Sequence, residues 1–376
     1  MQFMGDKKIR VLHVIGIMNY GGAETMIMNL FRKIDRNKFQ FDFLIHGIGE
    51  GDYDQEIKKL GGCIFSLPEY KIYNFSSYRK ACKKFFSTHP EYDIVHGHIE
   101  SCASIYLDEA RKLGIYTIAH THSTGFQALV PKMLYNILTF KTRYIADYFF
   151  ACSRQAGENR FGSKTVESSY FLVFINGIDV QEYIYTRNRH ENLKKNWNMQ
   201  GKFVIGHVGR MSKEKNHVFL VHVFSEICKR EKNAVLILVG DGAEKKNIEN
   251  LVCDLGLKEK VIFTGNRKDI PEIMNLFDVF VFPSIYEGLG IALIEAQAAG
   301  LPCVVADTIV DEAILSDEVK SLSLNDTYKT WADKIMKFST YVEKRKDNYN
   351  LIIEKGFDIR NTTKKLEKFY AEKALR

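Results

Sequence analysis

The chain has 376 residues, of which 45% are hydrophobic and 26% charged, with 26 glycines and only 6 prolines. This composition excludes a disordered, collagenous or repeat protein, and the length points to two domains, each large enough to bury its own core, which excludes a small disulfide-stapled module. The formal charge of +7, from 53 basic and 46 acidic residues, is modest for this length and implies no nucleic-acid partner.

Short apolar runs rich in β-branched and aromatic residues alternate with longer stretches of helical periodicity, the pattern of βαβ units and parallel sheets. The first half predicts strands at Ile9 to Gly16, Phe41 to His46, Cys63 to Leu67, Ile94 to His98, Tyr116 to His120, Tyr148 to Cys152 and Phe171 to Ile175. A second series begins with Phe203 to Val208 and continues at Val235 to Val239, Val261 to Thr264, Val279 to Phe282 and Cys303 to Ala306. Two doubly wound α/β sheets are expected. The polar stretch Gln181 to Gly201 reads as the linker, with the cleft beside it. From Tyr328 the chain is mostly helical, broken near Gly356 and resuming at Asn361.

The seven cysteines are scattered and form no CxxC pair, which fits a reducing cytosol and no zinc ribbon. No uncharged apolar run approaches the ~18 residues needed to cross a bilayer. The longest candidate, Met133 to Phe150, is interrupted by Lys141, Arg143 and Asp147. The start, Lys7, Lys8 and Arg10 before Val11 to Met18, has the outline of a signal peptide, but its apolar core is short and contains His13.

Ligands of open α/β sheets bind at the carboxyl ends of strands, where loops lead into helix N-termini. The first such loop is Asn19-Tyr20-Gly21-Gly22-Ala23-Glu24, ahead of a helix from Thr25 to Lys33. Gly21 and Gly22 let backbone N–H groups approach an oxyanion, or simply make a tight turn. The loop is neither a dinucleotide fingerprint nor a P-loop. The fifth strand ends in Ala119-His120-Thr121-His122-Ser123. These two histidines suit substrate orientation, metal ligation lacking an evident third ligand, or plain solvation.

In the second series the first strand runs into Gly209-Arg210-Met211-Ser212-Lys213-Glu214-Lys215. Arg210 offers a planar fork and Lys215 a mobile charge, a pair able to clamp a diphosphate. The fourth strand leads to Glu287-Gly288-Leu289-Gly290 and a helix from Ile291 to Ala299 carrying Glu295. A carboxylate in so apolar a helix is costly to bury unpaired and wants hydroxyl donors, such as a ribose diol; otherwise it faces solvent.

Gly209-Arg210 with Lys215, Glu287-Gly288-Leu289-Gly290 with Glu295, and Ala296-Gln297-Ala298-Ala299-Gly300-Leu301-Pro302 together resemble the family 4 retaining glycosyltransferases of GT-B fold. Gly21-Gly22-Ala23-Glu24, His120 and Asn176-Gly177-Ile178-Asp179 fit the same family, and the resemblance spans essentially the whole chain. It implies an acceptor domain over residues 1–185 joined by a returning helix at 361–376, and a donor domain over 186–360. It implies that Arg210 and Lys215 hold the donor diphosphate with backbone contacts from Gly290 and Ile291, that Glu295 meets the ribose and Glu287 the sugar, and that the base rests near Gly265 to Lys268, with Arg267. His120, or His122 two residues on, would sit beside the transferred sugar; strand alignment favours His120. Leu289 stands where the family usually has an aromatic residue and Gln297 where it has a small or sulfur residue, which bears on the shape of the sugar pocket.

The expected activity is transfer of a sugar from a nucleotide-diphosphate sugar, a UDP-sugar by preference, to a glycan or lipid-linked acceptor in capsule or exopolysaccharide synthesis. With no DxD-type acidic cluster in a strand-end loop suited to hold Mg²⁺, no cofactor or metal is expected. The rivals are a GT-B nucleotide-sugar 2-epimerase and a non-catalytic partner subunit. The expected location is cytoplasmic, at the inner face of the plasma membrane. Lys71, Arg79, Lys80, Lys83 and Lys84, interleaved with Tyr78, Phe85 and Phe86, offer a basic amphipathic face for anionic lipid, or else a solvated helix face.

Overall fold

A computed structural model describes residues 7–122 and 139–375. Seven of its strands, β1 (Ile9–Ile15), β2 (Phe39–His46), β3 (Ile64–Leu67), β4 (Ile94–Gly97), β5 (Tyr116–Thr121), β6 (Tyr148–Ala151) and β7 (Phe171–Val173), form one sheet. Its order is β3-β2-β1-β4-β5-β6-β7, every pair parallel. Because side chains alternate along a strand, Val11 and Ile15 of β1 pack on one face with the helix Gly22–Lys33, while Leu12 and Val14 pack on the other with Phe75–Thr88 and Ala103–Arg111. Burial on both faces is why the central strands read as near-continuous apolar runs.

The second sheet holds β8 (Phe203–Val208), β9 (Ala234–Val239), β10 (Val261–Gly265), β11 (Val279–Phe282), β12 (Cys303–Ala306) and β13 (Val319–Leu322), in the order β10-β9-β8-β11-β12-β13. The edge strand β13 was not expected. Its sequence Val-Lys-Ser-Leu carries no apolar run, and only Val319 is buried.

One compact unit comprises the chain to Gly177 together with the segment from Ile359, and the other runs from Ile178 to Asp358. The expected linker is corrected here. Gln181 to Gly201 overlaps a 3-10 turn, Val180–Tyr183, and contains a helix, Arg187–Asn196, capped by the Thr186 side chain accepting from the Arg189 N–H at 3.2 Å. Lys194 on that helix donates to Asp278 at 2.6 Å, and His190 is paired with the Asn275 carbonyl at 2.8 Å, so the segment is built into the second unit. Its many charged residues hide a narrow buried stripe.

The chain leaves the first unit at Gly177 and returns at Ile359. The Ile178 N–H donates to the Phe357 carbonyl at 2.8 Å, while a Cβ on Gly177 would lie 2.8 Å from Ile359 Cα and from Thr362 Oγ1. Only glycine allows this crossing. The terminal helix, Ile359–Ala374, begins slightly before the expected Asn361 and packs on Gly22–Lys33, β1 and β4, with Leu366 and Tyr370 fully buried.

Among the described residues no helix is long and apolar enough to cross a membrane. Residues 133–138 of the interrupted apolar run, and Ser123, lie outside the described residues. The amphipathic reading of positions 71–90 also changes. Tyr78, Phe85 and Phe86 are core residues packed against the sheet, and Arg79 is bound to Asp108 at 2.9 Å and Glu109 at 2.7 Å. The helix turns its aromatic stripe inward because that is its buried face. Lys71, Lys80, Lys83 and Lys84 remain exposed, beside exposed Ile72, Tyr73 and Phe75.

Candidate functional site

The order of the second sheet reverses between β8 and β11, so the loops after these two strands diverge to opposite faces and leave a crevice at their carboxyl ends. Gly209, Arg210 and Lys215 follow β8, and Glu287 through Ile291 follow β11. Arg210 is exposed, with no side-chain hydrogen bond or ion pair among the described residues. Lys215 ends a 3-10 turn, Lys213–Lys215, which Asn216 closes in the left-handed conformation while its amide donates to the Pro283 carbonyl at 3.2 Å. From there Lys215 Nζ reaches Glu287 Oε1 at 2.5 Å and lies 5.1 Å from the centre of the Phe282 ring. The helix Ile291–Ala298 opens at Gly290, whose φ of +78° favours glycine and whose Cβ would come within 2.9 Å of Phe282. The N–H groups of its first turn have no partner within the helix and favour an anion.

Gly265 also has positive φ, and its carbonyl accepts from the Gly240 N–H at 2.9 Å. A Cβ on Gly240 would lie 2.2 Å from the Gly209 carbonyl oxygen, so the loops after β8, β9 and β10 meet backbone to backbone. Arg267 turns to Asp269, with contacts of 2.8 and 2.7 Å, and covers the Trp197 ring.

Glu295 is nearly buried. Its hydroxyl donor is Tyr183, at 2.7 Å, a partner from the segment read as linker and therefore missed from the sequence. Burial pushes the Glu295 carboxyl up to about 7, against the Tyr183 hydrogen bond, which pulls it down. Gln297 lines no pocket. It is fully buried, donates to the Leu293 and Ala313 carbonyls, and accepts from the Leu315 and Ser316 N–H groups at 2.8 and 3.0 Å, so this departure from the family pattern braces a loop. Leu289 is buried as well. An open hollow of about 570 Å³ elsewhere in this unit, lined by Tyr185, Arg187, Glu343 and Lys346, includes none of these residues. The strand-end chemistry, rather than that hollow, marks the site.

In the first unit the helix starts at Gly22, earlier than the expected Thr25, with Gly21 as its N-cap in extended conformation. A Cβ on Gly22 would meet nothing within 4 Å, so the backbone faces open space. His120 closes β5, as expected, but it is not a solvated loop residue. It belongs to an array contributed by three adjacent strands, with buried His13 from β1, His96 from β4 and His98 just beyond it, and half-buried His122 just beyond β5. His96 Nε2 is 3.1 Å from His120 Nδ1, His13 Nδ1 is 3.1 Å from His98 Nε2, and His98 Nδ1 is 2.8 Å from His122 Nε2. Burial drives His120, His96 and His98 far below the usual imidazole range, and brings His122 down to about 4 and His13 to about 3, so all five are neutral near pH 7.

The sequence offered no third ligand beside His120 and His122, whereas the fold brings His98 to them, the ligand nitrogens lying within 4.8 Å of one another. The periodicity H-x-H in both β4 and β5 is the signal that was available. Beside this array Glu100 accepts from Thr121 and pairs with Arg160 at 2.5 Å, another strand-end group that sequence reasoning missed.

Residues 20–182 match the model of Glycosyltransferase Family 4, and residues 188–352 match that of Glycosyl transferases group 1. The putative glycosyltransferase EpsF of Bacillus subtilis is 34% identical over 338 residues, 88% of each chain. The chain belongs to the family 4 glycosyltransferases. This glycosyltransferase is also 25% identical, over 85% of each chain, to the UDP-Gal:alpha-D-GlcNAc-diphosphoundecaprenol alpha-1,3-galactosyltransferase of Escherichia coli. Its fold is GT-B. The crystal structure of Anabaena HepE with UDP-glucose superposes with a TM-score of 0.79 at 17% identity, over 97% of this chain and all of that one, and WaaG with 0.67 at 15%, over 97% and 98%.

Proposed function

We propose that this glycosyltransferase transfers a sugar from a UDP-sugar, with retention of anomeric configuration, to a glycan or lipid-linked acceptor in the synthesis of a surface polysaccharide. The observation that carries the reading is the convergence of Arg210, the Lys215–Glu287 pair and the Gly290 helix N-terminus at the switch point of the second sheet. Departure of a nucleoside diphosphate builds negative charge, and Arg210, Lys215 and the first-turn N–H groups supply fixed positive charge and donors to meet it. Glu295 receives the ribose hydroxyls. Glu287, held by Lys215 at 2.5 Å, meets a hydroxyl of the donor sugar. His120 is assigned to a hydrogen bond with the transferred sugar. In this scheme the leaving phosphate accepts the acceptor's proton, and no metal takes part. The named activity of the Escherichia coli relative supports the UDP-sugar and the lipid-linked acceptor. The exposed lysines from Lys71 to Lys84 support contact with anionic lipid at the cytoplasmic face.

The test is a panel of nucleotide sugars with the purified chain, following released nucleoside diphosphate and the anomeric configuration of the product by NMR. UDP release with a retained anomer supports the proposal. Inversion, or EDTA-sensitive turnover restored by Mg²⁺, contradicts it.

A further inference from the structure

The histidine array contains a hydrogen-bonded line that runs inward from the strand end to the terminal helix. His120 Nδ1 faces His96 Nε2 at 3.1 Å, and His96 Nδ1 faces the Tyr370 hydroxyl at 2.6 Å. The His96 and His120 ring centres are 5.2 Å apart with 20° between the planes. The nitrogen separation is that of an N–H···N hydrogen bond.

The direction of the line follows from counting protons. A neutral imidazole carries one N–H, a phenol one O–H, and the line has two bonds to fill. If protons run outward, Tyr370 donates to His96 Nδ1, His96 Nε2–H donates to His120 Nδ1, and His120 bears its proton on Nε2. If they run inward, His120 Nδ1–H donates to His96 and His96 Nδ1–H donates to the Tyr370 oxygen, leaving the hydroxyl proton without an acceptor. Tyr370 is fully buried between the terminal helix and the sheet, near Phe39 and Phe41, and His96 is its one polar partner among the described residues. An unpaired buried donor there is costly, and no ligand reaches it. His120 Nε2 is also buried and without a partner among the described residues, but it lies at the strand end, where a substrate brings an acceptor.

We propose that His96 and Tyr370 are positioning residues that hold His120 in the Nε2–H tautomer, so that His120 meets the transferred sugar as a hydrogen-bond donor to one of its oxygens. The second half rests on the reading that His120 faces that sugar. The neighbouring line, His13–His98–His122, ends on unpaired nitrogens at both sides, His13 Nε2 and His122 Nδ1, and has no hydroxyl to set its direction. The terminal helix thus contributes to the site chemically, through Tyr370, as well as by packing.

The test is two-bond ¹H–¹⁵N correlation on the full chain labelled with ¹⁵N-histidine, with His120 assigned by its loss in His120→Asn. The expected wild-type pattern has a protonated Nε2 and an unprotonated Nδ1. In Tyr370→Phe the Nδ1–H form should become populated, with turnover falling in proportion to it, a relation that loss of packing alone would not produce. A wild-type Nδ1–H pattern overturns the proposal, as does Tyr370→Phe with unchanged tautomer and unchanged turnover. If Tyr370→Phe fails to fold, the wild-type spectrum still decides. Adding a UDP-sugar that is turned over should shift the His120 resonances. A correct tautomer that ignores the sugar overturns the donor role and the placement of the sugar, while leaving the positioning by His96 and Tyr370 standing.

Discussion

The strand ends of the two units solve different problems with different chemistry. In the first unit, three adjacent strands carry histidines at or near their carboxyl ends that burial keeps uncharged, with His120 and His96 joined to each other and to Tyr370. In the second, the strand ends carry an exposed arginine and a lysine–glutamate pair beside a helix N-terminus. A neutral array presents directed hydrogen bonds and suits a sugar, while fixed charge suits a diphosphate. The same doubly wound architecture is therefore specialised by what stands immediately after its strands.

The sharpest way to break this comparison is to remove the element that the first unit borrows from the end of the chain. Deleting residues 361–376 takes away Leu366 and Tyr370, both fully buried, and uncovers Phe41 and His96. Losing several large core groups at once exceeds the usual stability margin of roughly 5–15 kcal/mol, so the first unit should unfold while the second keeps its own transition. A single unaltered melting transition in calorimetry would show that the helix is dispensable.

Next in size is the charge of the second unit. Arg210→Ala and Lys215→Ala should each lower turnover by about two orders of magnitude, as loss of charge stabilisation in a transition state does. Arg210 has no carboxylate partner among the described residues, whereas Lys215 is held by Glu287 at 2.5 Å, so the arginine should matter at least as much. Turnover within a few-fold of wild type in both variants would separate this cluster from the leaving group.

Glu295 gives a smaller, pH-dependent effect. Its folded pKa of about 7 lies above the ordinary 4.5. The folded state therefore binds the extra proton between these values, and its contribution to stability is full below pH 4.5 and is lost as pH rises through 7. Ribose hydroxyls prefer the ionised carboxylate, so nucleotide affinity should rise from pH 6 to 8. Glu295→Gln should flatten both trends and weaken nucleotide binding at pH 8 by roughly 1.5–3 kcal/mol. An unchanged pH profile in the variant would remove Glu295 from the ribose.

The smallest effect is at the surface. Lys80, Lys83 and Lys84 should each contribute about 1 kcal/mol to binding of anionic vesicles at low salt, an attraction that shortens with the Debye length. Their triple replacement by Gln should release the protein in a sedimentation assay while donor turnover persists. Wild type that stays in the supernatant at low ionic strength would make the helix a plain solvated face.

Much of this was legible in the sequence because parallel strands buried on both faces write themselves as apolar runs, and twelve of the thirteen described strands did so. β13 did not, since two of its four residues are polar and only Val319 is buried, whereas the other edge strands β3, β7 and β10 keep mostly apolar residues. The glycines and charges after β8 and β11 were visible for the same reason that they matter: they interrupt an apolar pattern at a strand end. Partners joined only by tertiary structure were not visible. Tyr183 lies 112 positions from Glu295, and Tyr370 lies 274 from His96. Arg187–Asn196 was hidden by its charge, and the aromatic stripe of Phe75–Thr88 could not be told from a lipid-facing one until its neighbours were placed.

The central claim, that the second unit recognises a diphosphate by charge, is tested most directly by calorimetric titration of wild type and Arg210→Ala with UDP and with uridine. UDP should bind wild type far more tightly than uridine does. Arg210→Ala should lose most of that difference while its affinity for uridine stays the same. A UDP–uridine difference unaltered by the substitution would contradict the account.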